Sequence, residues 1–161
     1  MDHSSKPALW RGSRATLIGL LSGVLLAWGS VASAAPCEAT VQADDNVRFD
    51  TSEITVDRSC SQFTVHLKNT GTLPATSMGH DWVLSREADM DAVCQDGVDA
   101  GMKAGYLKPD DPRVIAHTKL IGGGQSDSVT FDTSLLKPGE DYAFFCSFPG
   151  HHATMKGKLK F

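Results

Sequence analysis

The run Tyr142-Ala-Phe-Phe-Cys146-Ser-Phe-Pro-Gly-His151-His-Ala-Thr-Met155-Lys-Gly-Lys-Leu-Lys-Phe161 decides how the rest of the chain is read. Tyr142–Phe145 and Lys156–Phe161 have the composition of short strands, and Pro149-Gly150 marks a turn in the loop between them. Four residues separate Cys146 from His151 and three more precede Met155, so one compact loop can wrap a single ion. A Gly79-His80 pair far upstream can add a further imidazole. One thiolate, two imidazoles and a weak thioether are the trigonal set with a long axial Met that suits copper cycling between Cu(I) and Cu(II). Zinc also takes Cys and His, but its structural sites prefer four such ligands, commonly with paired Cys-x2-Cys spacing, which the chain lacks. Taken alone, Met155 would read as core filler and His151 as a surface loop residue; the coincidence with Cys146 and His80 favours a metal.

Working outward, Glu53–Asp57, Gln62–Lys68, Trp82–Leu84, Val114–Leu120 and Ser128–Phe131 are further short runs rich in β-branched and aromatic residues. Asn69-Thr-Gly71, Gly122-Gly-Gly124 and Lys137-Pro-Gly139 separate them as turns, and this rhythm predicts an all-β sandwich. From about Glu87 to Ala104 the rhythm breaks. There Ala88, Met90, Val93, Cys94, Val98 and Met102 recur near helical spacing, which predicts a helical insertion weakened by Gly97 and Gly101.

The chain has 161 residues, and its first 34 read as a secretory leader. Lys6, Arg11 and Arg14 precede a mostly apolar stretch, and Ala32-Ser33-Ala34 offers a small-x-small cleavage site, so residues 35–161 are expected to form one domain. The apolar stretch is broken by Gly19, Ser22 and Gly23 and is short for a membrane span, which needs roughly 20 apolar residues. Subtracting the leader's three basic residues and one acid from 15 Lys+Arg and 19 Asp+Glu leaves 12 against 18, a formal charge of −6. An acidic domain without basic runs argues against nucleic-acid binding, which rests on neutralising phosphates. Export implies an oxidising compartment, where Cys37 and Cys60 form the natural disulfide pair. Closing their loop contributes around 3 kcal/mol in the chain-entropy model. Cys94 is left over, either a buried inert thiol or an exposed one open to dimerisation or oxidation.

Six segments together resemble the azurins, bacterial members of the cupredoxins, the small blue copper proteins. They are Ser77–Leu84, Ala88–Met90, Tyr106–Asp111, Arg113–Gly122, Asp127–Asp132 and Phe144–His151, and the likeness spans essentially all of residues 35–161. The resemblance implies an eight-stranded Greek-key β-sandwich with a helical flap, a Cys37–Cys60 bridge at one end and copper at the other. It implies His80, Cys146 and His151 as equatorial ligands, Met155 as the weak axial ligand and the Gly79 carbonyl as the opposite axial contact. It also implies a periplasmic one-electron carrier, monomeric, that meets c-type cytochromes and respiratory reductases such as nitrite reductase transiently.

Three positions depart from that family's pattern. Asp81 stands where the family usually has Asn, and its negative charge near the metal should lower the reduction potential. His152 follows His151 where the family usually carries a small or polar residue, and it is either a solvated, idle side chain or one whose charging near neutral pH weakens partner docking. Asn69 replaces a buried, titrating His of several azurins, so that pH effect should be missing. Docking is expected on an apolar patch of Met78, Leu73, Pro74, Phe148 and Pro149, bordered by His152, with His80 the buried imidazole and His151 the one reaching the surface. Phe145 and Phe148 are expected to bracket Cys146 and keep water from the metal.

Two rival functions differ in chemistry. A copper-sequestering protein would hold the ion in an exposed, exchangeable site, whereas Cys146 stands in an aromatic strand-to-loop segment. A copper oxidase or nitrite reductase needs an open coordination position or a second metal cluster, and His66, His117 and His152 have no spacing that suggests one, so no enzyme activity is expected.

Overall fold

A computed structural model describes residues 36–161; the proposed leader and Ala35 lie outside the described residues. The chain forms β1 (Glu38–Asp44), β2 (Arg48–Phe49), β3 (Glu53–Thr55), β4 (Gln62–Asn69), a one-turn helix α1 (Ala75–Met78) and β5 (Val83–Arg86). It continues through α2 (Met90–Ala100), β6 (Ala116–His117), β7 (Ser126–Asp132), β8 (Tyr142–Phe145) and β9 (Lys156–Lys160). The strands make two mixed sheets, ordered β2-β1-β4-β7 and β3-β9-β8-β5-β6. Among the described residues there are nine strands rather than eight, because β2 pairs with β1 while β3, only three residues later, pairs with β9 in the other sheet. Counted as one strand that changes sheets, the two restore the expected number.

Alternation explains which faces meet. In β4, Phe63, Val65 and Leu67 point inward and are at most 1% exposed, while Gln62 and Lys68 face solvent. Trp82, fully buried just before β5, stacks between Phe131 of one sheet, with ring centroids 6.4 Å apart, and Phe144 of the other at 5.9 Å. All four residues of β8 are buried, which is why its run reads as continuously apolar. Phe144 faces the inter-sheet core, whereas Ala143 and Phe145 face a second cluster with Met90, Val93 and Cys94 of α2 and Leu107.

The helical insertion is thus a lid over the outer face of the second sheet. Its regular part is shorter than the pattern suggested: 3-10 turns at Glu87–Asp89 and Met102–Ala104 flank α2. Gly97 is no defect there, since a Cβ would come within 2.0 Å of the Tyr106 carbonyl oxygen, so the close approach of the following loop requires glycine. The expected strand over Val114–Leu120 shrinks to Ala116–His117 at a sheet edge, and β1 was not foreseen. Its buried side chains are only Val41 and Ala43, too small to stand out in the sequence.

A disulfide joins Cys37 to Cys60, tying the entry of β1 to that of β4. Both strands run from this end toward Asn69, whose side-chain amide donates to the Ile121 carbonyl at 3.3 Å. Ile121 in turn pairs with His80. The bridge and the His80 region therefore occupy opposite ends of the sandwich. Among the described residues no helix is long and apolar enough to cross a membrane.

Candidate metal centre

Three segments deliver the donors. His80 follows Gly79 at the end of the α1 segment, and its backbone exchanges two 2.9 Å hydrogen bonds with Ile121. Its ring Nε2–H donates to the Asp44 carbonyl at 2.9 Å, which leaves Nδ1 free to ligate. Cys146 leaves β8 and His151 opens a 3-10 turn (His151–Ala153) on the following loop. Gly150 adopts φ +83°, a left-handed turn that a side chain would strain, and this reverses the loop toward the metal position. The Cys146 N–H donates to the Met155 carbonyl at 3.1 Å and the Met155 N–H to the His151 carbonyl at 2.8 Å, so the loop closes on itself.

The result is a buried cluster of two ring nitrogens and one sulfur. Cys146 Sγ lies 3.9 Å from His80 Nδ1 and 3.6 Å from His151 Nδ1. The three donor atoms all fall within 4.8 Å of one another. The Gly79 carbonyl oxygen is 3.9 Å from the sulfur. Its approach depends on glycine, because a Cβ at position 79 would lie 2.6 Å from the Ala75 carbonyl oxygen. Met155 is fully buried in the same core cluster as Cys146. His80 is 0% and His151 7% exposed, so His151 is the edge through which the cluster meets the surface.

Burial sets the protonation states. It lowers the pKa of His80 and brings that of His151 down to about 4, helped by the neighbouring His80, so both rings are neutral near pH 7 and able to bind a cation. Burial also raises the Cys146 thiol well above its ordinary range, with Asp81 adding to it, while the backbone N–H groups of Asp81 and Phe148 oppose the shift. A thiol held protonated must lose its proton to solvent when a cation takes the sulfur, so loading is coupled to deprotonation. Soft sulfur with two neutral imidazoles, preset by the fold, fits copper.

Around the cluster, Asp81 is fully buried, and its carboxylate accepts from the Ser147 N–H at 2.7 Å and the Ser147 hydroxyl at 2.5 Å. This pair latches the His80 segment to the Cys146 loop. Burial pushes the Asp81 pKa up to about 6 against the opposing pull of those two hydrogen bonds. Phe148 packs against the main core, with its ring centroid 4.5 Å from that of His151, but Phe145 does not bracket Cys146. Adjacent strand residues face opposite ways, and Phe145 belongs to the cluster under α2. Tyr106, which the sequence reading used only within the Tyr106–Asp111 segment, lies edge-on to Phe148 at 5.2 Å. Its backbone is left-handed, φ +56°, a local feature that residue type does not announce. His66 bonds Ser128 on a strand face and His117 sits at a sheet edge, and neither joins the cluster. Cys94 is buried, and desolvation pushes its pKa up to about 12, the inert form of the two alternatives.

Comparison with known proteins agrees with this geometry. The pattern of the copper-binding proteins of the plastocyanin/azurin family matches residues 35–161. The chain belongs to that family. Azurin of Achromobacter denitrificans is 55% identical over 148 residues, covering 92% of this chain and 97% of the relative. An azurin of Pseudomonas aeruginosa is 57% identical over 144 residues, covering 89% and 93%. Azurin-1 of Alcaligenes xylosoxydans xylosoxydans is 58% identical over 126 residues, covering 78% and 98%. As a member of the plastocyanin/azurin family, the protein is a type 1 copper electron-transfer protein rather than an enzyme, and as a redox carrier it works with redox partners.

Proposed function

We propose that His80, Cys146 and His151 would hold copper through two ring nitrogens and one sulfur, with the Met155 thioether and the Gly79 carbonyl as weaker donors. The convergence of one buried sulfur and two ring nitrogens within 4.8 Å carries this assignment. Copper held there supplies a one-electron Cu(I)/Cu(II) couple. The residues do the rest. The Asp44 carbonyl fixes the His80 ring, the Asp81–Ser147 latch fixes the Cys146 loop, and Met155 and Phe148 exclude water. A site held by the sandwich in this way changes charge with little rearrangement.

Electrons leave through His151 across the patch of Leu73, Pro74, Met78, Phe148 and Pro149, with His152 at its border. Leu73 is 41% exposed, Pro74 is exposed, and Met78, Phe148, Pro149 and His152 are half-buried on the two segments that carry His80 and His151. The leader, residues 1–34, directs residues 35–161 to the periplasm. There the protein acts as a monomer toward c-type cytochromes and respiratory reductases such as nitrite reductase. Such redox encounters are small and transient, below roughly 1,200 Å² of buried surface.

The visible spectrum of copper-loaded protein tests the ligand set. An intense blue copper–thiolate band is expected, and Cys146→Ser should abolish both it and the redox wave; survival of either rejects the assignment. Slow copper exchange alongside fast reversible redox favours the carrier over sequestration, and the reverse pair of rates favours sequestration.

A further inference from the structure

Beside the ligand shell lies a cavity of about 390 Å³ whose charge runs against that of the protein. One wall is Ala75 and Thr76 of α1, a second is the Met102–Gly105 turn, and the third is His117–Leu120. Lys103 and Lys119 stand on it, both exposed, neither in an ion pair among the described residues, and no carboxylate lines the cavity. Outside the lining, the Asp127 carboxylate accepts from the Lys119 backbone N–H at 2.7 Å. The interior is apolar, with Ala104, Leu107 and Leu120.

Two contacts join this cavity to the metal centre. The Gly105 carbonyl accepts from the Ser147 hydroxyl at 3.3 Å, so one wall is a single hydrogen bond from the residue after Cys146. Ala75 and Leu120 also supply the atoms that close in on Gly79. A molecule seated there touches Ala75 and Leu120, which pack against Gly79, and so meets the same α1 segment that carries Met78.

We infer that this groove is a second docking element that receives the carboxylate-rich face of a redox protein while the apolar patch around His151 covers the partner's cofactor edge. The inference rests on the reading of that patch as the docking surface. Charge complementarity selects the occupant. The domain carries 12 basic against 18 acidic residues and repels an acidic protein at long range, so two unpaired lysines on one apolar-floored groove set the orientation in which such a partner can approach. One electron passes between copper and the partner's cofactor, one centre being oxidised and the other reduced, with no bond made or broken.

The test compares electron exchange of the copper-loaded protein with native cytochrome c, rich in lysine, and with succinylated cytochrome c, whose lysines bear carboxylates. The Lys103→Glu/Lys119→Glu pair should slow exchange with the succinylated protein about tenfold at low salt, and high salt should remove the difference. The copper absorption and potential should stay as in the parent, and the amide signals of Gly105 and Thr118 in the Cu(I) protein should no longer shift on adding the succinylated partner. A charge-matched control, Lys137→Glu/Lys160→Glu, lies toward the opposite end, where β8 begins and β9 finishes, and should change the rate much less. Equal slowing by both pairs, or none by the first, overturns the inference. The neutral change Met78→Gln separates the two readings. If it slows exchange and the lysine pair does not, the patch stands and the groove fails; if only the lysine pair slows it, the patch reading fails and the joint docking inferred here fails with it.

Discussion

Asp81 places a fully buried carboxylate one residue from His80 and bonded to the backbone and hydroxyl of Ser147 beside Cys146. Its chemistry is readable in two ways. In the metal-free protein its pKa rises from 3.8 to about 6 because burial disfavours the charge. The folded state therefore holds a proton that the unfolded state has lost in that window, and stability falls as pH rises through it. Asp81→Asn does not titrate, so the metal-free variant should exceed the parent by on the order of 1–3 kcal/mol at pH 7, with the gap closing near pH 4. Urea unfolding at the two pH values measures this, and a gap independent of pH would count against it. In the copper-loaded protein the buried negative charge favours the oxidised state. Voltammetry should find the Asp81→Asn potential higher by on the order of tens of millivolts, and an equal or lower value rejects the electrostatic role.

The ligand loop and the disulfide show what each element contributes. Between Cys146 and Met155 the spacing alone announced a loop able to hold an ion, since local turns act over a few residues and the turn signal Pro149-Gly150 lies within it. The loop's closure on itself, through the Cys146 and Met155 backbone bonds, follows from that short span. β1 and the narrow β6 were not legible, because an edge or a small-residue strand gains its stability from partners distant in sequence. α2 was visible by periodicity, because Met90, Val93 and Cys94 form the face that packs against Leu107 and Ala143, whereas its 3-10 flanks bury no side chain and leave no such pattern. The disulfide acts mainly on the unfolded chain. Removing it as Cys37→Ala/Cys60→Ala should cost about 3 kcal/mol in denaturant unfolding while the blue absorption stays unchanged, because the bridge is remote from the metal. A shifted spectrum would mean that the two ends of the sandwich are coupled.

At the scale of the molecule, the sandwich holds charge transfer and recognition apart. The cluster is buried beneath His151, and the proposed docking patch is the surface around it. Met78→Lys puts a charge into the apolar patch without touching the ligands, so exchange with a partner should slow about tenfold or more while the copper spectrum is retained. Stopped-flow mixing with a partner reports it, and an unchanged rate moves the docking surface elsewhere. The amino-acid sequence by itself determined the donor types, their loop spacing, the strand rhythm and the acidic balance, because these depend on residue identity and on neighbours a few positions away. Only the tertiary structure decided that His80 lies beside Cys146 at the neighbouring ends of β5 and β8, that Asp81 latches Ser147, and that Lys103 and Lys119 share one groove. Each of those joins residues far apart along the chain, and such pairs meet only when the pairing of two sheets and the packing of α2 bring them together.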